Sequence, residues 1–325
     1  CAVANAASPA DAPAAPGGPA SVSIECGHLI DGLAAKPLRK MTVSIRDGRI
    51  TAVTHGYRAD AAAPVMNLRD YTCLPGLIDL HTHGIEHWQY EASAGDLAAG
   101  VARLGRRGTT CILPTVIPRL KDRFLENLAE LADAAASVRA VSIPGLHIEG
   151  PFVGLTGAAC ERVSGDVKLV DEIVAACRGR VAVMSLSPEV PNILPVIERL
   201  VEHGVRPFIT HTQANVEQTQ AAIDAGARHA THFYDVFPAP PETEPGVRTA
   251  GAVETILADP RATVDFICDG RHVHPMAVKA ALAQSGIRIV DVRVKRLNLP
   301  EQNKQSVYAR MRAERGEALA GLASY

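Results

Sequence analysis

Chemistry in this sequence is carried by histidines and one glutamate at the ends of apolar runs. His81-Thr82-His83 has period-two spacing, which on a strand turns both imidazoles to the same face. Two neutral imidazoles on one face suit zinc or a similar divalent ion. Glu149 closes an apolar run in GLHIEGP. An unpaired buried charge costs several kcal/mol, so a metal or cationic partner is expected there. His211 in FITHT and His232 in ATHFYDV end two further runs. Together Glu149, His211 and His232 supply one carboxylate and two imidazoles. Such a set leaves a coordination position open for water, as a catalytic zinc site needs.

The elements that position these residues follow from the alternation of patterns. From residue 71 onward, short apolar runs alternate with stretches of helical period, several of which end in Gly. The strand candidates are LPGLIDLHTH, TTCILPTVI, AVSIPGLHIEG, VAVMSLSPE, VRPFITHT, ARHATHFYDV, ATVDFICDG and IRIVDV. The count and alternation predict a parallel (β/α)8 barrel over residues 71–292. In such barrels the C-terminal strand ends face the active site. Here those ends carry His81, His83, His147, Glu149, His211, His232, Asp269, His272 and Asp291. A doubly wound open sheet is disfavoured, because no GxGxxG turn follows the first strand. Residues 21–70 read as a small β-domain, in which MTVSIRDGRITAVTHG forms a hairpin about its DG turn.

Composition narrows the function further. The chain has 325 residues, 47% of them hydrophobic, and a formal net charge of −2. That supplies a sizeable core and gives no electrostatic reason to expect nucleic acid. No apolar run approaches the ~20 residues of a membrane span. The seven cysteines are odd in number and contain no CxxC, so they read as buried thiols of a reducing, cytoplasmic compartment. Residues 1–20 are rich in Ala, Pro and Gly and read as a flexible leader. Cys1 leaves a second reading open, export with a lipid anchor on that cysteine. Residues 293–325 read as an atypical, charged, helix-prone tail. Nothing in the sequence decides between a monomer and a homodimer.

LPGLIDLHTHG, GLHIEGPF, ITHT, THFYDVF and CDGRHVHP, in this order, resemble the amidohydrolase superfamily, and within it the N-acetylglucosamine-6-phosphate deacetylases. The resemblance runs from about residue 22 to about 290. It implies that Glu149, His211 and His232 hold the main divalent ion, and that His81 and His83 hold a second ion or shape the site. Zinc is the first choice, with iron, manganese or cobalt as alternatives. The fourth strand, VAVMSLSPE, has no lysine of the kind that bridges two ions in many superfamily members, so Glu149 takes the bridging place. The implied reaction is hydrolysis of an N-acetyl amide on an amino sugar, with release of acetate.

The sequence also departs from that family. The general base is expected at the end of the eighth strand; Asp291 stands there, in IRIVDVRVKR rather than a Thr-Asp-Ala context. His272 matches the histidine expected to meet the sugar phosphate. Thr243 replaces an arginine, Asp235 replaces an asparagine, and Ala159 replaces a substrate histidine. Arg248 is the nearby cation that could compensate. These changes keep other amidohydrolase activities open: an N-acyl-amino-acid hydrolase, a lactonase, a deaminase, or a metal-binding relative without turnover.

Overall fold

In a computed structural model of the chain, the structure describes residues 21–121, 123–156, 160–267 and 269–284. The first four strands form a small sheet: β1 (Ser21–Leu29), β2 (Leu38–Arg46), β3 (Arg49–His55) and β4 (Val65–Cys73), in the order β3-β2-β1-β4. β2 and β3 are the antiparallel hairpin expected around the DG turn. Asp47 and Gly48 both take positive φ (50° and 73°), as a tight two-residue hairpin loop requires. β1 pairs antiparallel with β2 and parallel with β4. Cys26, Leu29, Met41 and Val43 form the core of this unit.

The large sheet begins at β5 (Leu77–Thr82), followed by a small hairpin of β6 (Gly84–Ile85) and β7 (Trp88–Gln89). From there helices and strands alternate: α1 (Ala94–Gly105), β8 (Thr109–Val116), α2 (Phe124–Ser137), β9 (Leu146–Glu149), α3 (Val167–Ala176), β10 (Val181–Leu186) and α4 (Ile193–Glu202). The series continues with β11 (Arg206–Ile209), α5 (Val216–Ala225), β12 (His229–Ala230), α6 (Ala252–Ala258), β13 (Thr263–Val264) and α7 (Pro275–Gln284). The seven strands pair in parallel in the order β5-β8-β9-β10-β11-β12-β13. Sheet order therefore equals chain order, as successive β/α crossovers of one hand produce. This is the predicted barrel architecture through seven of its units. The eighth strand candidate, residues 287–292, lies outside the described residues, as do Asp291, Ala159, the leader and the tail.

The sheet curls. In a flat sheet β5 and β12 would stand about 24 Å apart, five strand spacings. Yet His81 Nδ1, at the end of β5, lies 2.8 Å from the Oγ1 of Thr231, just after β12. His147 on β9 likewise reaches past β8 to the carbonyl of Leu80 on β5, at 2.9 Å. The period of two sorts the side chains. Leu146, Ile148, Met184, Leu186 and Ile209 pack into the main core with Ile173, Val196, Ile197 and Leu200 of the helices. The alternate residues face inward, where Leu113, Val183 and Phe208 form a separate apolar cluster with Leu80. Helix starts are defined locally: at α5 the Asn215 side chain accepts from Gln218 N–H, and Gln218 returns its side-chain oxygen to Asn215 N–H.

Candidate metal centre

Glu149 ends β9 on the inward face, with the apolar side chain of Ile148 turned outward to the core. Its side chain is only 3% exposed. Oε1 lies 3.2 Å from His211 Nε2, 3.3 Å from His232 Nε2 and 3.5 Å from His81 Nε2. Oε2 lies 3.0 Å from His83 Nε2, and the Nε2 atoms of His81 and His83 are 3.3 Å apart. The structure thus sets His211, His232, His81 and His83 around Glu149, and the ligand atoms of His81, Glu149 and His232 all lie within 4.8 Å of one another. Burial pushes the Glu149 carboxyl up, but hydrogen bonds to His211, His232, His81 and His83 outweigh it and hold it below the usual carboxylate range. Burial pushes His232 down, and Glu149 more than reverses that, leaving its imidazole above the usual range.

The surrounding bonds fix which nitrogen faces the centre. Thr231 Oγ1 donates to Asp265 Oδ1 at 3.3 Å, so it accepts from His81 Nδ1–H at 2.8 Å. His232 Nδ1–H donates to the carbonyl of Asp235 at 3.2 Å. Were His81 and His232 neutral, each would turn its Nε2 lone pair toward the Glu149 carboxylate. Acceptor facing acceptor is repulsive unless a proton or a cation sits between them. Thr210 Oγ1, 2.8 Å from His232 Nε2, carries a hydroxyl hydrogen that rotates to suit. A tetrahedral ion with bonds of about 2.0–2.1 Å separates its donor atoms by about 3.4 Å, close to the spacings around Glu149 Oε1. One carboxylate with several imidazoles is a donor set for zinc or a related divalent ion. Among the described residues the buried Nδ1 of His211 has no hydrogen-bond partner, and the Nδ1 of His83 meets only Glu91 Oε2, at 4.0 Å; buried polar atoms left this way call for a functional explanation. The residues present fit the metal that the sequence implies.

Backbone geometry at the ligands is unusual. His211 and His232 adopt left-handed φ values of 43° and 38°, followed by Tyr234 at 75° and the β-branched Val236 at 57°. Non-glycine residues hold such conformations only when their surroundings over-determine them. For His232 the hold is explicit: its backbone N–H donates to Asp265 Oδ1 at 2.7 Å.

Other sequence candidates fall elsewhere. Arg248 is 88% exposed along its side chain and pairs with Glu254 at 3.0 Å, so the structure does not bring it to the cluster. The preference has a cause: Glu254 lies in the first turn of α6 and also accepts from Gly251 N–H, which leaves its second oxygen for the guanidinium. Asp235 meets the centre through its backbone carbonyl on His232. His272 lies in the exposed loop after β13, held by Asp269, whose carboxylate takes Arg271 N–H, His272 N–H and the His272 ring. Asp269 therefore orders that loop, as its place in CDG suggests. His147 is completely buried and has no place in the cluster. Its Nδ1–H donates to Leu80 O and its Nε2 accepts from Ser185 Oγ at 2.6 Å. Burial, with His81 nearby, pushes it down to about 3, so it stays neutral.

Sequence reasoning passed over Asp265. It follows β13 directly, takes the ring of His229 at 2.9 Å, and also accepts from Thr231 and His232. Burial pushes its carboxyl up, and the His229 contact leads the interactions that hold it down, below the usual range. The available signal was the one used for Glu149, a lone carboxylate inside an apolar strand.

A model of the amidohydrolase family matches residues 72–303. The chain belongs to the amidohydrolase family. Among curated relatives of this amidohydrolase, the N-acetylglucosamine-6-phosphate deacetylase of Bacillus subtilis (strain 168) is 31% identical over 258 residues, 75% of this chain and 63% of the relative. The N-acetylgalactosamine-6-phosphate deacetylase of Escherichia coli O157:H7 is 29% identical over 222 residues, 66% of this chain and 58% of the relative. A mutant N-acetyl-D-glucosamine-6-phosphate deacetylase from Mycobacterium smegmatis, solved in complex with N-acetyl-D-glucosamine-6-phosphate, superposes with a TM-score of 0.69 at 27% identity. That alignment covers 82% of this amidohydrolase and 68% of the solved chain. The chain spans about six tenths of the length of the curated relatives it matches. Among the described residues, no helix is long and apolar enough to cross a membrane.

Proposed function

We propose that this amidohydrolase removes acetate from an N-acetyl amino sugar, with N-acetylglucosamine 6-phosphate as the leading substrate and zinc as the resident ion. The observation that carries the reading is the meeting of Glu149 with four imidazoles at 3.0–3.5 Å. Relatives named for deacetylation of hexosamine 6-phosphates support the substrate class. Glu149, His211 and His232 would hold the ion, with His81 and His83 completing the set or taking a second one. A divalent ion bound there supplies a water acidified toward a pKa of about 7 and polarises the scissile carbonyl.

The protein's own contributions follow from the geometry. Glu149 neutralises part of the ion's charge in a buried setting, where electrostatic interactions are weakly screened. For the general acid-base carboxylate the support is the sequence alone: Asp291, outside the described residues, would take the proton of the attacking water and return it to the leaving amine. The Leu80, Leu113, Val183 and Phe208 cluster lies beneath the polar layer and excludes water from that side. His272, held by Asp269 on an exposed loop, is the group proposed to meet the substrate's polar end. Arg248 would have to leave Glu254 to assist it.

The test is acetate release by the purified chain from N-acetylglucosamine 6-phosphate, N-acetylgalactosamine 6-phosphate, N-acetylglucosamine and a panel of N-acyl amino acids, alongside metal analysis. Acetate release from the sugars, lost on chelation and restored by Zn2+, is the expected result. Turnover confined to the amino acids would overturn the substrate class. A metal-free chain that still released acetate would overturn the chemistry.

A further inference from the structure

We propose that Asp265 is a positioning residue for the metal centre: its single carboxylate fixes two ligands, His232 and His81, that come from strands far apart in the sheet. This rests on the metal-centre reading above. Oδ1 accepts from the backbone N–H of His232 at 2.7 Å and from Thr231 Oγ1 at 3.3 Å. Thr231 in turn accepts from His81 Nδ1–H at 2.8 Å. The first bond holds His232 in its left-handed φ of 38°. The second chain, from carboxylate through hydroxyl to imidazole, sets the His81 tautomer and ring orientation and leaves Nε2 for the centre. Outer partners of this kind orient metal-ligating histidines and raise their basicity.

Asp265 is itself anchored. Oδ2 takes the His229 ring at 2.9 Å, and the other nitrogen of that ring lies 2.8 Å from Thr263 Oγ1. His229 also lies against Phe208, with ring centroids 4.1 Å apart. Both oxygens of Asp265 are thus engaged by groups on or beside β12 and β13. That argues for positioning rather than proton transfer. The arrangement couples the two halves of the curl, since His81 ends β5 and Asp265 follows β13, at opposite edges of the described sheet.

The experiment compares the full chain with Asp265→Ala, Asp265→Asn and Thr231→Val. Zn2+ affinity is read by competition with a chromophoric chelator, and ligand geometry by the visible spectrum of the Co2+ form. Asp265→Ala is expected to weaken Zn2+ binding by about 10–100-fold and to change the Co2+ spectrum. Asp265→Asn keeps an oxygen for Thr231 and His232 and an amide for His229, so it should recover to within about threefold of the parent. Thr231→Val, which loses only the His81 arm, should fall between them. A folded Asp265→Ala protein with parental affinity and spectrum overturns the proposal, as does an Asp265→Asn protein as weak as the alanine variant. If Asp265→Ala does not fold, Thr231→Val with parental affinity and spectrum overturns it. A parent chain that takes up no ion at all overturns the metal-centre reading, and this inference with it.

Discussion

The central strands of the parallel sheet and the outer strands of the small sheet treat their side chains in opposite ways. All four residues of β9 are buried, with Leu146 and Ile148 turned to the helix-covered core and His147 and Glu149 turned inward. All seven residues of β3 are exposed, and β4 is exposed at most positions. Ile50, Val53, Val65, Met66 and Tyr71 meet solvent as large apolar groups. A strand covered on both faces reads as a continuous buried run, whereas a sheet covered on one face leaves the other to water. The lesson is that function and stability concentrate in the parallel sheet. Substitutions there should be costly, and the same chemistry on the outer face of the small sheet should be nearly silent.

Four measurements break or sharpen that contrast. The largest effect is expected for Glu149→Ala. Losing the one carboxylate among four imidazoles should weaken Zn2+ binding by more than the ~10–100-fold typical of outer-sphere partners and abolish acetate release; titration with a competing chelator reads it.

Next comes His147. Its folded pKa of about 3 lies below the unfolded value of about 6.5. Between those values the unfolded chain binds more protons, so this imidazole costs the folded state stability as pH falls from about 6.5 toward 3. The slope approaches about 1.4 kcal/mol per pH unit. His147→Gln should lower stability at neutral pH, through loss of the bonds to Leu80 and Ser185, yet flatten part of the acid limb. Urea midpoints from pH 8 to pH 4 check both effects, and an unchanged slope would count against burial of a neutral imidazole.

Gly150, directly after Glu149, has φ of 83°, and a Cβ there would lie 2.6 Å from Cys160 Sγ. Gly150→Ala should therefore cost about 1–3 kcal/mol in strain, and adding Cys160→Ala should relieve the clash but not the backbone share. Thermal melts of the two variants separate the contributions. The smallest effects belong to the other sheet. Ile50→Thr and Tyr71→Thr should each change stability by within about 0.5 kcal/mol. A cost comparable to Gly150→Ala at either position would show that something covers that face and would erase the contrast.

How much of this was legible beforehand depends on whether the signal was local. The HxH pair, Glu149 in GLHIEGP and the strand-end histidines were readable because period-two spacing and a carboxylate closing an apolar run are short-range features. The DG hairpin and the alternation of runs that gave the barrel were readable for the same reason. What was not readable arises from contacts across the curl. No spacing joins Thr231 to His81, 150 positions away. Nor does any local pattern say that His147 serves Leu80 and Ser185 while its neighbour two residues on, Glu149, serves the centre. Arg248 looked available because its partner Glu254 becomes a partner only once α6 begins at Ala252.

Chain-ordered strands have a consequence for biogenesis. Glu149 leaves the ribosome 62 residues before His211 and 83 before His232, while His81 waits through 150 residues for the hydroxyl that orients it. When Glu149 emerges, only His81 and His83 of its four imidazole neighbours have been made. The pocket around Glu149 can therefore close only after the polypeptide has emerged past Asp265, which makes it a late product of synthesis.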